Sequence, residues 1–331
     1  MRKKIVVLSG ITGQCGSVLA EKLLNRGDKV IGIVRRTSSE YKWRLNNIVT
    51  NKNLILCSGD ITDQHSIDNI VDEHKPDWFI NTASMSHVGD SFKQPVLTGE
   101  ITGLGVTKCL EAIRKFAPNC RFLQFSTSEM FGNAKYAPQN EKTPFDAKSP
   151  YAAAKLYGYY MTDLYKNAYG LHCSNMIMFN TEGPRRGLNF VTRKISMAVA
   201  NIYLGHQDKL VLWDLSPRRD WSYVGDSMNA VIKILEYDKP DTFVVSSGET
   251  HTIEEFCKVA FEYVGLNYKD YVVVDKNKAR PSEVPLLKGD STKIRNMLGW
   301  VPKVQFKELV EMMVESDIDA ITLKEKEKRS I

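Results

Sequence analysis

A chain of 331 residues with 45 Lys and Arg against 39 Asp and Glu, a net charge of +6, exceeds one small core but is not basic enough to demand a polyanion. Hydrophobic residues at 43% and charged residues at 25% lie near globular averages, which argues against a disordered or nucleic-acid-binding chain. The six cysteines (Cys15, Cys57, Cys109, Cys120, Cys173, Cys257) show neither metal-ligand pairing nor a disulfide framework, so a metal-free protein of the reducing cytosol is expected.

In chain order, the basic start MRKK gives way to an apolar run that stops at Gly10, too short for a signal peptide or a membrane span. It reads as a strand, Ile5 to Leu8, followed by a helix from Ser17 to Asn25 and strands at Val30 to Val34 and Leu54 to Cys57. A helix at Ile67 to Glu73, a strand at Trp78 to Asn81, a helix at Leu104 to Phe116 and a strand at Arg121 to Phe125 continue the alternation. This rhythm predicts an α/β fold: a doubly wound, Rossmann-like parallel sheet covered on both faces, with ligands at its carboxyl edge. A long helix, YAAAKLYGYYMTDLYKNAYG, ends at Gly170 and leads into a sixth strand, Ser174 to Phe179. Beyond it, loops rich in Pro, Arg and Asn interrupt short elements. We therefore divide the chain into a dinucleotide-binding domain, 1–180, and a smaller substrate-binding domain, 181–331, of which about 215–250, with a strand at Thr242 to Ser246, returns to the main sheet.

Gly10-Ile11-Thr12-Gly13-Gln14-Cys15-Gly16 sits between the first strand and the first helix, where glycines let backbone amides approach a pyrophosphate at a helix N-terminus. The second strand ends in Arg35-Arg36-Thr37-Ser38 rather than in the acidic residue that binds NAD ribose hydroxyls. Two guanidiniums and two hydroxyls suit the 2′-phosphate of NADP. Asp60, after the third strand, stands where an adenine amino group would be met.

Tyr151 and Lys155 lie one helical turn apart and face the same way, so the ammonium is expected to lower the tyrosine's pKa and make it a proton acceptor for a sugar hydroxyl. Ser126-Thr127-Ser128-Glu129 closes the fifth strand and adds a hydroxyl and a carboxylate at the ligand edge. Oxidation of a sugar carbinol needs the hydroxyl, tyrosine and lysine alone; the carboxylate of Glu129 implies a second proton to remove. Oxidation at carbon 4 makes the proton on carbon 5 acidic, and its removal lets the hydroxyl on carbon 6 leave as water. Return of the hydride to carbon 6 then yields a 4-keto-6-deoxy sugar.

At these residues the chain resembles the GDP-mannose 4,6-dehydratase family, within the extended short-chain dehydrogenase/reductases. GITGQCG, VRRTSS, STSEMFG, SPYAAAKLYGYY, NFVTRKIS, RRDW and RPSEV stand in the family's order along nearly the whole chain. The resemblance implies an NADP-dependent lyase in which Thr127 polarises the carbon 4 oxygen, Glu129 is the base at carbon 5, and Tyr151 with Lys155 runs the redox step. It assigns Gly10, Thr12, Gly13, Gln14, Gly16, Arg35, Arg36, Ser38, Asp60, Ile61, Ser86, Tyr151, Lys155 and Arg186 to NADP. Ser86, Ser128, Asn180, Lys194, Arg219, Arg280 and Glu283 would hold the GDP-sugar, cations and an amide suiting the diphosphate and Glu283 the ribose. Family members commonly pair as dimers or tetramers, so a homodimer or homotetramer is expected.

The chain departs from the family's usual pattern at Cys15, Met85, Thr181, Gly183 and Trp213-Asp214, where Asp, Gln, His, Ser and Gly-Asn are common. Small residues at 181 and 183 suggest a roomier sugar pocket, which keeps a GDP-manno-heptose open beside GDP-mannose. A GDP-sugar 4-epimerase or 4-dehydrogenase would leave Glu129 idle, and a redox-sensing module that merely holds NADP(H) would leave all four catalytic groups idle.

Overall fold

The computed structural model describes residues 2–36, 43–275 and 284–329. The apolar run IVVLS forms β1 (Ile5–Ser9), and the glycine loop turns it into α1 (Gln14–Asn25). β2 (Lys29–Val34), β3 (Leu54–Ser58), α2 (Gln64–His74) and β4 (Trp78–Asn81) follow, α2 being capped by the Asp63 side chain, which accepts from His65 N. α3 (Val88–Lys93) and α4 (Pro95–Thr98) lead through a π-helical segment, Gly99–Leu104, into α5 (Gly105–Phe116). Leu104, read from the sequence as the start of a regular helix, thus ends an i→i+5 segment. β5 (Arg121–Thr127) then precedes α6 (Pro150–Tyr169), whose ends are set by Ser149 accepting from Ala152 N, by Pro150 in the first turn and by left-handed Gly170.

β6 (Cys173–Met178) is followed by β7 (Asn180–Glu182), α7 (Val191–Tyr203), β8 (Leu210–Leu212), β9 (Arg218–Arg219) and β10 (Trp221–Tyr223). Next come α8 (Val224–Glu236), β11 (Thr242–Val245), β12 (His251–Thr252) and α9 (Ile253–Tyr263). β13 (Val272–Val274), β14 (Leu286–Leu287), α10 (Thr292–Leu298) and α11 (Phe306–Arg329) complete the described chain.

Seven strands form one sheet in the order β11-β6-β5-β4-β1-β2-β3, every neighbouring pair parallel. The doubly wound sheet expected from the alternation is therefore present, and β11 joins it beside β6. On one face Leu19 and Leu23 of α1 and Val231 and Ile234 of α8 pack on Val6 and Leu8; on the other, Val106, Leu110 and Ile113 of α5 pack on Val7, Phe79 and Phe122. A separate cluster joins α7, α9 and α11 through Val199, Phe256 and Met313, with Trp221 of β10. Chain order reverses between β1 and β4, which opens a crevice at their carboxyl ends.

A polar belt crosses the sheet under that crevice. Ser9 Oγ donates to Asn81 Oδ1 at 2.6 Å, Asn81 Nδ2 to Gln124 Oε1 at 2.8 Å, and Ser126 Oγ to Asn175 Oδ1 at 3.1 Å. Buried polar groups persist in a core only when satisfied in this way.

Candidate active site

A cavity of about 1290 Å³ occupies the crevice. That exceeds the roughly 300–1,000 Å³ of a site for one drug-sized molecule and leaves room for two ligands end to end. Nineteen of the residues picked out in the sequence line it: Gly10, Thr12, Gly13, Gln14, Gly16, Arg35, Arg36, Asp60, Ile61, Ser86, Thr127, Ser128, Glu129, Tyr151, Lys155, Asn180, Arg186, Lys194 and Arg219. Ser38, Arg280 and Glu283 lie outside the described residues.

The glycine loop is tight enough to need its glycines. Gly10 has φ +70°, and a Cβ on Gly16 would stand 2.3 Å from the Gly10 carbonyl oxygen. Gly13 N donates to Gly10 O at 2.9 Å, and Gln14 Nε2 ties the loop to β7 by donating to Thr181 O at 2.9 Å. Arg35 and Arg36 are exposed at the end of β2, on the cavity wall. Asp60 Oδ1 is taken up by Thr62 N and Thr62 Oγ1. Nothing in the sequence singles out Arg44, yet its guanidinium lines the cavity too, donating to Arg185 O at 2.9 Å and to Thr12 O at 3.3 Å. Cys15, beside the loop, is held as a thiol because burial pushes it up to about 11.

Thr127, the last residue of β5, caps the turn Ser128–Phe131, its hydroxyl accepting from Glu129 N at 3.3 Å. This turn sets Glu129, half-buried, against the first turns of α6, where Tyr151 and Lys155 are both buried. The expected lowering of Tyr151 by Lys155 is not what the structure shows. The ammonium lies 5.9 Å from the Tyr151 ring centroid and donates to Phe125 O at 2.6 Å. Burial pushes Tyr151 well above its ordinary value, Thr127 as hydrogen-bond partner and the charge of Arg186 pulling the other way. Burial also lowers Lys155 to about 8.

Asn180 and Thr181 come from β7, and the turn after it carries Arg186. Glu182, almost fully buried, accepts from Thr192 Oγ1 at 2.5 Å and pairs with Arg186 at 3.0 Å, whose guanidinium carbon stacks 3.6 Å from the Phe190 ring centroid. Glu182 was not picked out in the sequence: Arg186 is only four residues away, but the burial of the carboxylate and its bond to Thr192 come with folding. Gly183 does not enlarge the cavity. It is absent from the lining, and its small size serves packing on α8, since a Cβ there would lie 2.9 Å from Val224 Cγ1. Thr181 does line the cavity, with its hydroxyl turned back to Phe179 O at 3.1 Å.

The sequence matches the family described as GDP-mannose 4,6 dehydratase over residues 7–313. It is 45% identical to GDP-mannose 4,6 dehydratase 1 of Arabidopsis thaliana, covering 96% of this chain and 90% of that protein. It is 40% identical to GDP-mannose 4,6 dehydratase of Homo sapiens, covering 96% of this chain and 92% of that protein. In three dimensions it is similar to RMD from Pseudomonas aeruginosa, solved in complex with NADPH, with a TM-score of 0.81 and 20% identity over 96% of this chain and 100% of that one. A family match over most of the length, together with a cavity that gathers hydroxyl, carboxylate, tyrosine and lysine at one sheet edge, settles the relationship: the chain belongs to the GDP-mannose 4,6-dehydratase family.

Proposed function

We propose that the chain is an NADP-dependent lyase that converts GDP-mannose to GDP-4-keto-6-deoxymannose by internal hydride transfer. The observation that carries this reading is the presence of Glu129 in the same cavity as Thr127, Tyr151 and Lys155. A carboxylate there has no task in a simple oxidation.

The residues present fit NADP. The cradle at Gly10 and Gly16 leaves no space for side chains, Arg35 and Arg36 stand at the end of β2, and among the described residues the terminal nitrogens of Arg186 carry no hydrogen bond. When bound, NADP supplies the acceptor and later the donor of the hydride. Burial keeps the Tyr151 phenol protonated, and the positive charge that bound NADP would bring is what would draw it down so that Tyr151 accepts the proton of the carbon 4 hydroxyl, with the Thr127 hydroxyl polarising the same oxygen. Glu129 removes the proton from carbon 5 and returns it to the departing carbon 6 hydroxyl, because Ser128 beside it offers no carboxyl group. The proton that carbon 5 regains is made up by the one Tyr151 took from the carbon 4 hydroxyl, so that both residues end as they began once the hydride is returned to carbon 6.

Homodimer or homotetramer formation is part of the proposal and is supported by exposed Tyr157, Tyr160 and Leu164 on α6, an apolar strip beside Leu104. A cytosolic location is supported by six cysteines that are all free thiols. Among the described residues no helix is long and apolar enough to cross a membrane.

The test is mass spectrometry of products from a panel of GDP-sugars. Loss of one water from GDP-mannose is the expected result. An isobaric product would mean a 4-epimerase, a preference for GDP-manno-heptose would move the substrate but keep the reaction, and no conversion of any GDP-sugar would overturn the reading.

A further inference from the structure

Three fully buried side chains form a row straight across the sheet, because Ser9 stands opposite Asn81 and Asn81 opposite Gln124 in the strand register. The direction of their hydrogen bonds is fixed from one end. Phe125 O can only accept, so Gln124 presents its nitrogen to that oxygen, at 3.0 Å, and its Oε1 to Asn81 Nδ2, at 2.8 Å. Asn81 is left with Oδ1 for the Ser9 hydroxyl, at 2.6 Å. Ser9 immediately precedes Gly10, and its own carbonyl accepts from Thr82 Oγ1 at 2.7 Å. The row therefore starts at the root of the glycine loop and ends on the oxygen to which Lys155 Nζ donates at 2.6 Å.

Neither Asn81 nor Gln124 lines the cavity, whereas Ser9, Phe125 and Lys155 do. Gln124 thus meets no ligand, and it reaches the site only through the acceptor that it shares with the ammonium. We infer that Gln124 is a positioning residue for the redox step: held through Asn81 from the strand that carries the glycine loop, it fixes the place of Lys155 beside Tyr151 by sharing Phe125 O. The catalytic consequence rests on the dehydratase reading above; the placing of Lys155 does not.

The test compares Gln124→Met, which removes the donor to Phe125 O but leaves Asn81 Nδ2 unpaired, with Gln124→Met/Asn81→Leu. In the double variant that buried amide is gone as well, and most of the lost stability should return. In both, kcat for dehydration of GDP-mannose should fall about tenfold or more while KM changes less than about twofold, since a misplaced group slows the chemical step without removing substrate contacts. A kcat that recovers with stability in the double variant, or that stays within about twofold of wild type in both, overturns the role.

A second measurement, on cofactor-free protein, is independent of the reaction. Burial holds Lys155 at about 8, so its contribution makes stability in urea rise with pH above that value. With Gln124 gone, the ammonium is the one side-chain donor left to Phe125 O, its charged form gains, and the rise should set in about half a pH unit or more higher. The titratable neighbours are Cys15 of α1 and Tyr151 of α6, both held neutral by burial over this range, with the charges of Glu129 and Arg186 falling on Tyr151. A rise that stays in place overturns the inference even where the wild type dehydrates GDP-mannose. A rise that shifts in a protein that converts no GDP-sugar supports the placing of Lys155 and overturns only the dehydratase reading.

Discussion

The ammonium of Lys155 donates to the carbonyl oxygen of Phe125 at 2.6 Å, and Gln124 Nε2 donates to the same oxygen at 3.0 Å. One carbonyl at the middle of the sheet therefore fixes the height of the α6 lysine relative to β5. Burial holds this ammonium at about 8, below the ordinary value near 10.4. The folded state thus binds fewer protons than the unfolded state between those limits. The group's contribution to stability is present above the ordinary value and is lost as pH falls through about 8. In cofactor-free protein, Lys155→Met should remove this slope: the wild type should gain on the order of 2–3 kcal/mol relative to the variant between pH 7.5 and 10 in urea denaturation. Parallel pH dependences would show that the lysine is not held in the interior as described.

Glu129→Gln separates the two halves of the reaction. A neutral amide cannot accept the carbon 5 proton, whereas Thr127, Tyr151 and Lys155 remain to oxidise carbon 4. Absorbance of reduced cofactor should appear after mixing with GDP-mannose, while product that has lost water should fall by about 100-fold or more. Undiminished dehydration would remove Glu129 from the mechanism.

What could be read from the sequence follows from how local each signal is. Gly10, Gly13 and Gly16 act within one turn, so spacing alone announced the loop, and Tyr151 and Lys155 share a helix face by arithmetic. The partner of Lys155 depends on the register of α6 against β5, which no periodicity encodes. Arg44 reaches Thr12 and Arg185 from a segment with no repeat of its own, and the bond from Thr192 to Glu182 forms only when β7 and α7 meet. The reading of Gly183 as room for a larger sugar failed for the same reason: its neighbour is Val224, 41 residues away, and not the cavity.

Arg35 and Arg36 provide the test of cofactor choice. Both are exposed, so their replacement should leave stability nearly unchanged. The double variant Arg35→Ala/Arg36→Ala should weaken NADP binding by about 10-fold or more and NAD binding much less, because only NADP carries the 2′-phosphate. Fluorescence titration with NADPH and NADH measures both. Equal losses would make the arginines general electrostatic contributors and leave the preference unexplained by them.

A carboxylate far along the chain from the chemistry secures, through Arg193, the turn that carries Arg186. Asp317 of α11 is fully buried and pairs with Arg193 of α7 at 2.5 Å, while Ser196 Oγ donates to its other oxygen at 2.7 Å. Arg193 in turn donates to the carbonyls of Pro184 and Arg186, so the backbone of the turn that presents Arg186 to the cavity is held from α11. Asp317→Asn leaves a buried guanidinium without its counter-charge and should cost about 3–5 kcal/mol in denaturant unfolding. Arg193→Met with Asp317→Leu replaces both charges by apolar groups of similar bulk and should restore most of that stability. The restored protein still lacks the two hydrogen bonds to the turn, so its NADP affinity should stay several-fold below wild type. If affinity recovers together with stability, the Pro184 to Arg186 turn keeps its shape without Arg193, and the pair serves only to join the two helices.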